Sequence, residues 1–335
     1  MDLAVFIPVY NEISSLAIIN QNILKMKSIF PNVHFYISDN ASSDGTWEAL
    51  RELETKWQGT LSISRNFENL GFARNLFKSV DIPGDRYILI SGANDVLSTH
   101  GLNRLKELLA KSSTFDFYIF NWAYIKGDEN TEILFHGDIG NDFIATSLDD
   151  YFSKHRTVPN GIMQYVAKTS FLSKMAPYLD LHNPQAGAFI DSFPCSLLCV
   201  STPLSLVNYV EINGWRSSKE TIFLTHLNLV KEIFQHIDKA SSEGRISFSM
   251  TKKIKRHYLK IMTYMYVMQL LFTSWGCWKL KGQERAIFLK DSFYKVLNLY
   301  SLNLTNYRIN FYLDLSIALL KKVLRPFVLC IRQLL

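Results

Sequence analysis

From Leu3 to Asn121 the chain alternates short apolar runs with stretches of helical period, and this rhythm constrains its fold more than any other feature. Leu3–Pro8, His34–Ser38, Leu61–Ser64, Tyr87–Ile90 and Phe115–Asn121 have the length and flanks of strands. Between them, residues 13–30, 46–56, 72–80 and 99–111 carry apolar residues at helical spacing, the first stopping at Pro31. Such alternation implies a parallel sheet with helices on both faces, and places ligands at the carboxyl ends of the strands. The Gly/Asp/Asn-rich stretch 122–140 reads as a hairpin or excursion, and 161–169 and 205–211 as further strands. Beyond Ser218 strand signals vanish, and helices are expected near 221–240, 249–279, 284–299 and 307–333, with a boundary near Gly214.

Charge divides the chain in the same place. From Arg245 onward sixteen Lys or Arg face three acids (Glu284, Asp291, Asp314), a local +13 within a net +6, so the preceding residues carry −7. That asymmetry points to an anionic surface touched by the C-terminal part alone. Ile261–Trp278 is an uncharged run diluted by polar residues, and reads as a buried or interfacial helix, with a membrane span as the alternative. Residues 313–335 place Leu, Ile, Val and Phe at helical spacing with Lys321, Lys322, Arg325 and Arg332 elsewhere, a basic amphipathic pattern that suits a lipid headgroup layer. The alternative is that this apolar face packs on the rest of the protein or on a second subunit. Nucleic acid is disfavoured, because no recognition module is present and the opening half is acidic. The start lacks a basic n-region and cleavage site, so no signal peptide is expected. Cys195, Cys199, Cys277 and Cys330 match no zinc spacing or compact disulfide framework, and read as reduced apolar fillers in a cytosolic setting.

Four segments fall at the expected strand ends: Val5-Phe-Ile-Pro-Val-Tyr-Asn-Glu12, Ser38-Asp-Asn-Ala-Ser-Ser-Asp-Gly-Thr46, Asn69-Leu-Gly-Phe-Ala-Arg-Asn75 and Ser91-Gly-Ala-Asn-Asp95. The first three have bland readings. The first is a strand-to-helix turn with a carboxylate favouring a helix N-terminus, the second a capped turn through Asp44 and Thr46, and the third a glycine turn with a solvated arginine. Together, in this order and spacing, the set resembles the family 2 glycosyltransferases, which move a sugar from a nucleoside diphosphate to an acceptor hydroxyl.

The resemblance implies an α/β GT-A fold, Rossmann-like, with a mostly parallel sheet and helices on both faces, followed by an α-helical C-terminal region. The resemblance spans roughly residues 3–215, giving a catalytic domain at 1–215 (about 1–112 for the nucleotide-sugar, 113–215 for the acceptor); the basic, membrane-associating region at 216–335 rests on its charge and helical pattern alone. Pro8, Tyr10, Glu12, Asp39, Gly71, Arg74, Asn94 and Asp95 would bind the donor, with Asp39 reading the base. Family members carry an Asp-x-Asp-type cluster at the fourth segment that holds Mg²⁺ or Mn²⁺ against the diphosphate. Here Ala93 and Asn94 replace acids and Asp95 remains as the expected metal ligand, so a weakly held metal and metal-independent transfer both stay open. Asp191, about a hundred residues on and expected to begin an apolar helix at 195–200, is the candidate base, with an N-cap as its alternative role and Asp180, Asp149 and Asp150 in reserve. Trp215-Arg216, His182 and His226 are weaker candidates.

The expected function is inverting transfer onto a lipid-linked oligosaccharide for surface polysaccharide (O-antigen or capsule), at the inner face of the cell membrane. Two alternatives remain: a soluble or protein acceptor with the tail used for dimerisation, and an inactive nucleotide-sugar-binding relic.

Overall fold

The computed structural model describes residues 2–84, 86–111, 115–125, 133–136, 139–159, 165–181, 184–193, 197–208, 222–271, 282–303, 310–312 and 314–316. They form two compact units, Met1–Ile212 and Asn213–Leu335.

In the first unit the elements run β1 (Leu3–Val9), α1 (Leu16–Ile29), β2 (His34–Asp39), α2 (Thr46–Lys56), β3 (Leu61–Arg65), α3 (Phe72–Phe77), β4 (Tyr87–Ile90), β5 (Val96–Leu97) and α4 (Thr99–Ala110). There follow β6 (Phe117–Ile125), β7 (Ile133–His136), β8 (Phe143–Ala145), α5 (Leu148–Lys154), β9 (Tyr165–Lys168), α6 (Thr169–Leu172), α7 (Pro184–Asp191) and β10 (Leu197–Asn208). One sheet holds all the described strands in the order β3-β2-β1-β4-β9-β6-β10-β5, with β7 on β6 and β8 on β10. β3, β2, β1 and β4 are parallel throughout, as the alternation requires. Beyond them the sheet is mixed: β9 enters antiparallel between β4 and β6, while β6 and β10 run parallel.

β1 is buried along its length except at half-buried Pro8, the continuous apolar pattern of a strand covered on both faces. Ile19, Ile23 and Met26 give α1 a helical stripe onto this strand layer, and Leu102, Leu105 and Leu109 do the same from α4. Aromatic rings fill another part of the first unit, where Phe117 packs against Tyr165, Phe171 and Phe189, and Tyr151 against Phe189. Residues 13–15 form a 3₁₀ turn ahead of α1 rather than its first turn. The strongest departure concerns the expected helix at 195–200, of which 197–200 lie among the described residues. An apolar run of that length does not distinguish strand from helix, and Leu197–Val200 belong to β10, paired with Phe117–Phe120 of β6 and bordered by β8.

The second unit contains α8 (Ile222–Ser242), α9 (Phe248–Leu271) and α10 (Gly282–Asn303), with residues 310–312 and 314–316 also helical. It is tied by polar pairs: Arg256 and Tyr300 each to the buried Asp314 at 2.6 Å, and Lys255 to the exposed Asp238 at 2.6 Å. Among the described residues no helix is long and apolar enough to cross a membrane. Residues 272–278, and all of the amphipathic tail beyond 316, lie outside those described. Cys199 is a buried free thiol whose ionisation burial opposes; the other three cysteines fall outside the described residues.

Candidate active site

The chain runs β1, β2, β3 outward on one side of β1 and then returns to its other side as β4. Strand order thus reverses at β1, and the carboxyl ends around it form the crevice where such sheets bind ligands. The first segment leaves β1 there. Asn11 adopts a left-handed φ of 54°, and its N–H donates to Ser42 Oγ at 2.8 Å while its side-chain oxygen accepts from the Ser43 N–H at 2.9 Å. The N–H groups of Glu12 and Ile13 donate to Thr46 Oγ1 and Asp44 Oδ2 at 2.9 and 3.1 Å. The first two segments are therefore stitched into one floor. Asp44 and Thr46 stabilise this junction as well as the start of α2, where Asp44 accepts from the Thr46 N–H at 3.0 Å. Above it Tyr10 is exposed, and Glu12 is half-buried, accepting from the Ser15 hydroxyl at 2.6 Å.

Asp39, at the end of β2, is fully buried. It accepts from the Ser42 N–H at 3.3 Å and from the Ser42 hydroxyl, and pairs with Arg65 Nε of β3 at 3.2 Å. Beside it a carboxamide network joins the third segment to the floor. Asn40 donates to Asn69 Oδ1 at 2.7 Å and accepts from Asn66 Nδ2 and the Leu70 N–H at 2.9 and 3.0 Å; Asn75 accepts from the Ser38 hydroxyl at 2.7 Å and donates to the Ser38 carbonyl at 3.1 Å. Gly71 precedes α3 at φ 80°, a conformation that suits glycine. Arg74 is exposed and pairs with Asp180 at 2.7 Å, tying α3 to the segment before α7.

The fourth segment follows β4. Asp95 is buried and Asn94 half-buried. A Cβ on Gly92 would stand 2.1 Å from Asp95 Oδ2 and 3.6 Å from Asn94 Oδ1, so both side-chain oxygens converge over a residue that has no side chain. Behind them Asn22 of α1 brackets the backbone: Nδ2 donates to the Asp95 carbonyl at 2.6 Å and Oδ1 accepts from the Leu97 N–H at 3.0 Å. Among the described residues no group of three or more His, Cys, Asp or Glu gathers to hold a metal. Mg²⁺, however, is commonly held by one or two carboxylates plus substrate phosphates. Asp95 with Asn94 fits such a partial shell and does not make an all-protein cage.

Asp191 stands elsewhere than expected. It is the last residue of α7, not the first of a helix, and the next described element is β10. Half-buried, it accepts a hydrogen bond from the Tyr178 hydroxyl at 2.9 Å. Asp149 and Asp150 lie in the first turn of α5, where the Asp150 N–H donates to Ser147 Oγ at 3.1 Å and its carboxylate pairs with Lys154 at 2.9 Å, a capping arrangement. His226 lies in α8; His182, Trp215 and Arg216 fall outside the described residues.

Several residues at this edge escaped the sequence reading. Arg65, Asn40, Asn66 and Asn22 bind to partners far off in sequence, and only the density of asparagines between 66 and 75 hinted at a polar network.

A parallel β-layer whose reversal point gathers two buried carboxylates and a glycine-led helix start is the ligand crevice of an open α/β sheet. Residues 4–176 match the model of glycosyl transferase family 2, and the chain belongs to this family. The abequosyltransferase RfbV of Salmonella typhimurium is 32% identical over 113 residues, which cover 34% of this chain and only 33% of that relative. Among solved structures, S. aureus TarS 1-349 in complex with UDP-GlcNAc aligns over 96% of this chain and 91% of its own, with a TM-score of 0.61 and 14% identity. The mannosyltransferase PcManGT of Pyrobaculum calidifontis, in complex with GDP-Man and Mn²⁺, aligns over 96% and 87% with a TM-score of 0.52 and 14% identity. These two likenesses establish the GT-A-like fold.

Proposed function

We propose that this glycosyltransferase carries a sugar, with inversion, from a nucleoside-diphosphate sugar to a hydroxyl of a lipid-linked oligosaccharide during surface-polysaccharide (O-antigen or capsule) assembly. The observation that carries the donor half is the meeting of all four segments at the carboxyl ends of adjacent parallel strands, with Asp39 and Asp95 buried among them. Pro8, Tyr10, Glu12, Asp39, Gly71 and Arg74 form the nucleotide side, and Asn94 and Asp95 the diphosphate side. The RfbV likeness and the sugar nucleotides bound by TarS and PcManGT support this reading. The Mn²⁺ of PcManGT supports a divalent cation held by Asp95 and Asn94, which when bound supplies positive charge to the departing diphosphate.

In the reaction the acceptor oxygen forms a bond to the anomeric carbon as the bond to the diphosphate oxygen breaks, and the nucleoside diphosphate leaves. The acceptor hydroxyl proton passes to Asp191, whose carboxylate is oriented by the Tyr178 hydroxyl. Asp191→Asn is expected to abolish transfer while nucleotide affinity stays unchanged; retained transfer would remove Asp191 from the role. Measuring donor consumption with and without Mn²⁺ tests the whole reading, because nucleotide binding with no turnover under any metal favours the inactive relic that Ala93 and Asn94 suggest.

For the whole chain, we assign residues 1–215 to catalysis, with about 1–112 on the donor side and 113–215 on the acceptor side, and 216–335 to attachment at the cytoplasmic face of the cell membrane. Besides the tail, α9 supports this assignment. It has no acidic residue, and it exposes Phe248, Lys252, Lys253, Lys260 and Tyr264 while Ile254, Tyr258, Leu259 and Met262 are buried. Flotation with anionic vesicles tests the attachment; absence of binding favours a soluble or protein acceptor, with the tail in dimerisation.

A further inference from the structure

The carboxylate expected to meet the nucleobase is not at the surface. Asp39 is fully buried, and its oxygens point at Ser42 and Arg65. What reaches the surface from this cluster is Arg65, at the end of β3, with 36% of its side chain exposed. Its guanidinium is held from three directions. Nε faces Asp39 Oδ2 at 3.2 Å, Nη2 donates to the Ser42 carbonyl at 2.7 Å, and the Trp47 ring lies 5.5 Å from Cζ. Asp39 and Ser42 fix the plane of the fork while the indole takes its face, so the remaining N–H groups keep a set direction at the sheet edge, two residues before the fully exposed Phe67. A planar fork in a fixed orientation recognises paired acceptors, and it cannot accept a proton from anything.

Resting on the donor reading above, we propose that Arg65 reads the nucleobase of the donor, that Asp39, Ser42 and Trp47 are the residues that position it, and that the base it reads presents two adjacent acceptors. Cytosine offers O2 and N3 side by side, and guanine offers O6 and N7. Uracil and thymine carry a hydrogen on N3, which meets a donor-only group badly. The buried carboxylate thus acts on the base through the arginine.

The test is calorimetric titration of the intact protein with CDP, GDP, UDP and dTDP. CDP or GDP should bind about tenfold or more tightly than UDP and dTDP, the range expected of one bidentate contact. CDP above GDP identifies the pyrimidine edge, and the reverse order the purine edge. Arg65→Ala should bring the four affinities together, and Arg65→Lys, which keeps the charge without the fork, should do so while retaining more of the diphosphate affinity. Trp47→Leu should narrow the same ratio, a readout that a purely structural role does not move. A preference for UDP or dTDP, or a ratio unchanged in both Arg65 variants, overturns the assignment of the base. If none of the four nucleotides binds, the donor reading itself fails.

Discussion

Gly92→Ala probes the diphosphate side through a contact that no sequence pattern displays. Gly92 is not among the glycines at positive φ, so alanine is compatible with its backbone. The obstacle is Asp95: the new Cβ stands 2.1 Å from Oδ2 and 3.0 Å from Cγ, against an ordinary contact of 3.4 Å or more. The carboxylate oxygen must therefore move by about 1.3 Å. Asn22 holds the Asp95 carbonyl and the Leu97 N–H, so the displacement falls on the side chain rather than the backbone. A misplacement on the order of 1 Å in a positioned group costs about 10² in rate, or about 2.7 kcal/mol in the barrier. Overpacking a buried site destabilises by about 1–3 kcal/mol, so thermal unfolding must be followed alongside activity. The assay is donor turnover in a double-mutant cycle with Asp95→Ala. If the effect runs through the carboxylate, Gly92→Ala costs about a hundredfold in the wild-type background and little once Asp95 has been truncated. Equal losses in both backgrounds would refute the reasoning, as would near-normal activity of the single variant at unchanged stability.

Other perturbations follow from the same geometry. Asn22→Leu leaves a buried carbonyl and a buried N–H without their partner, and should destabilise the fold by about 2–4 kcal/mol, read as a lowered denaturation midpoint. Asp142 sits at the β8–β10 junction, where burial opposes its charge but the Ser201 N–H, the Arg104 guanidinium and the Ser201 hydroxyl together outweigh burial and hold its carboxyl below the ordinary value. A depressed folded value means the stabilisation is complete above the unfolded pKa of about 3.9 and fades as pH falls through the folded value. The Tm gap between wild type and Asp142→Asn should therefore stay constant from pH 7 to about 5 and close in more acid solution; a gap that widens on acidification contradicts the assignment.

Legibility in the sequence tracked the distance over which each interaction acts. The strands β1 to β4 and the helices between them were readable because apolar spacing is local, and Pro31 and Gly71 marked their ends. Leu197–Val200 were misread because a short apolar run suits a buried strand as well as a helix, and the choice was made by pairing with Phe117–Phe120, eighty positions away. The same reason hid Arg65 and Asn22, whose partners Asp39, Ser42 and Asp95 lie on other elements.

By itself the sequence determined the alternation, the parallel first half of the sheet, the four segments at its carboxyl edge and the charge contrast with the helical C-terminal part. Those follow from periodicity, turn chemistry and composition, which a single chain carries in its own order. Tertiary structure alone decided that Asp39 is buried behind Arg65, that Asp95 and Asn94 converge over Gly92, and that Asp191 closes a helix rather than opening one. Side-chain direction and burial depend on which strands become neighbours, and that is settled only when the sheet assembles.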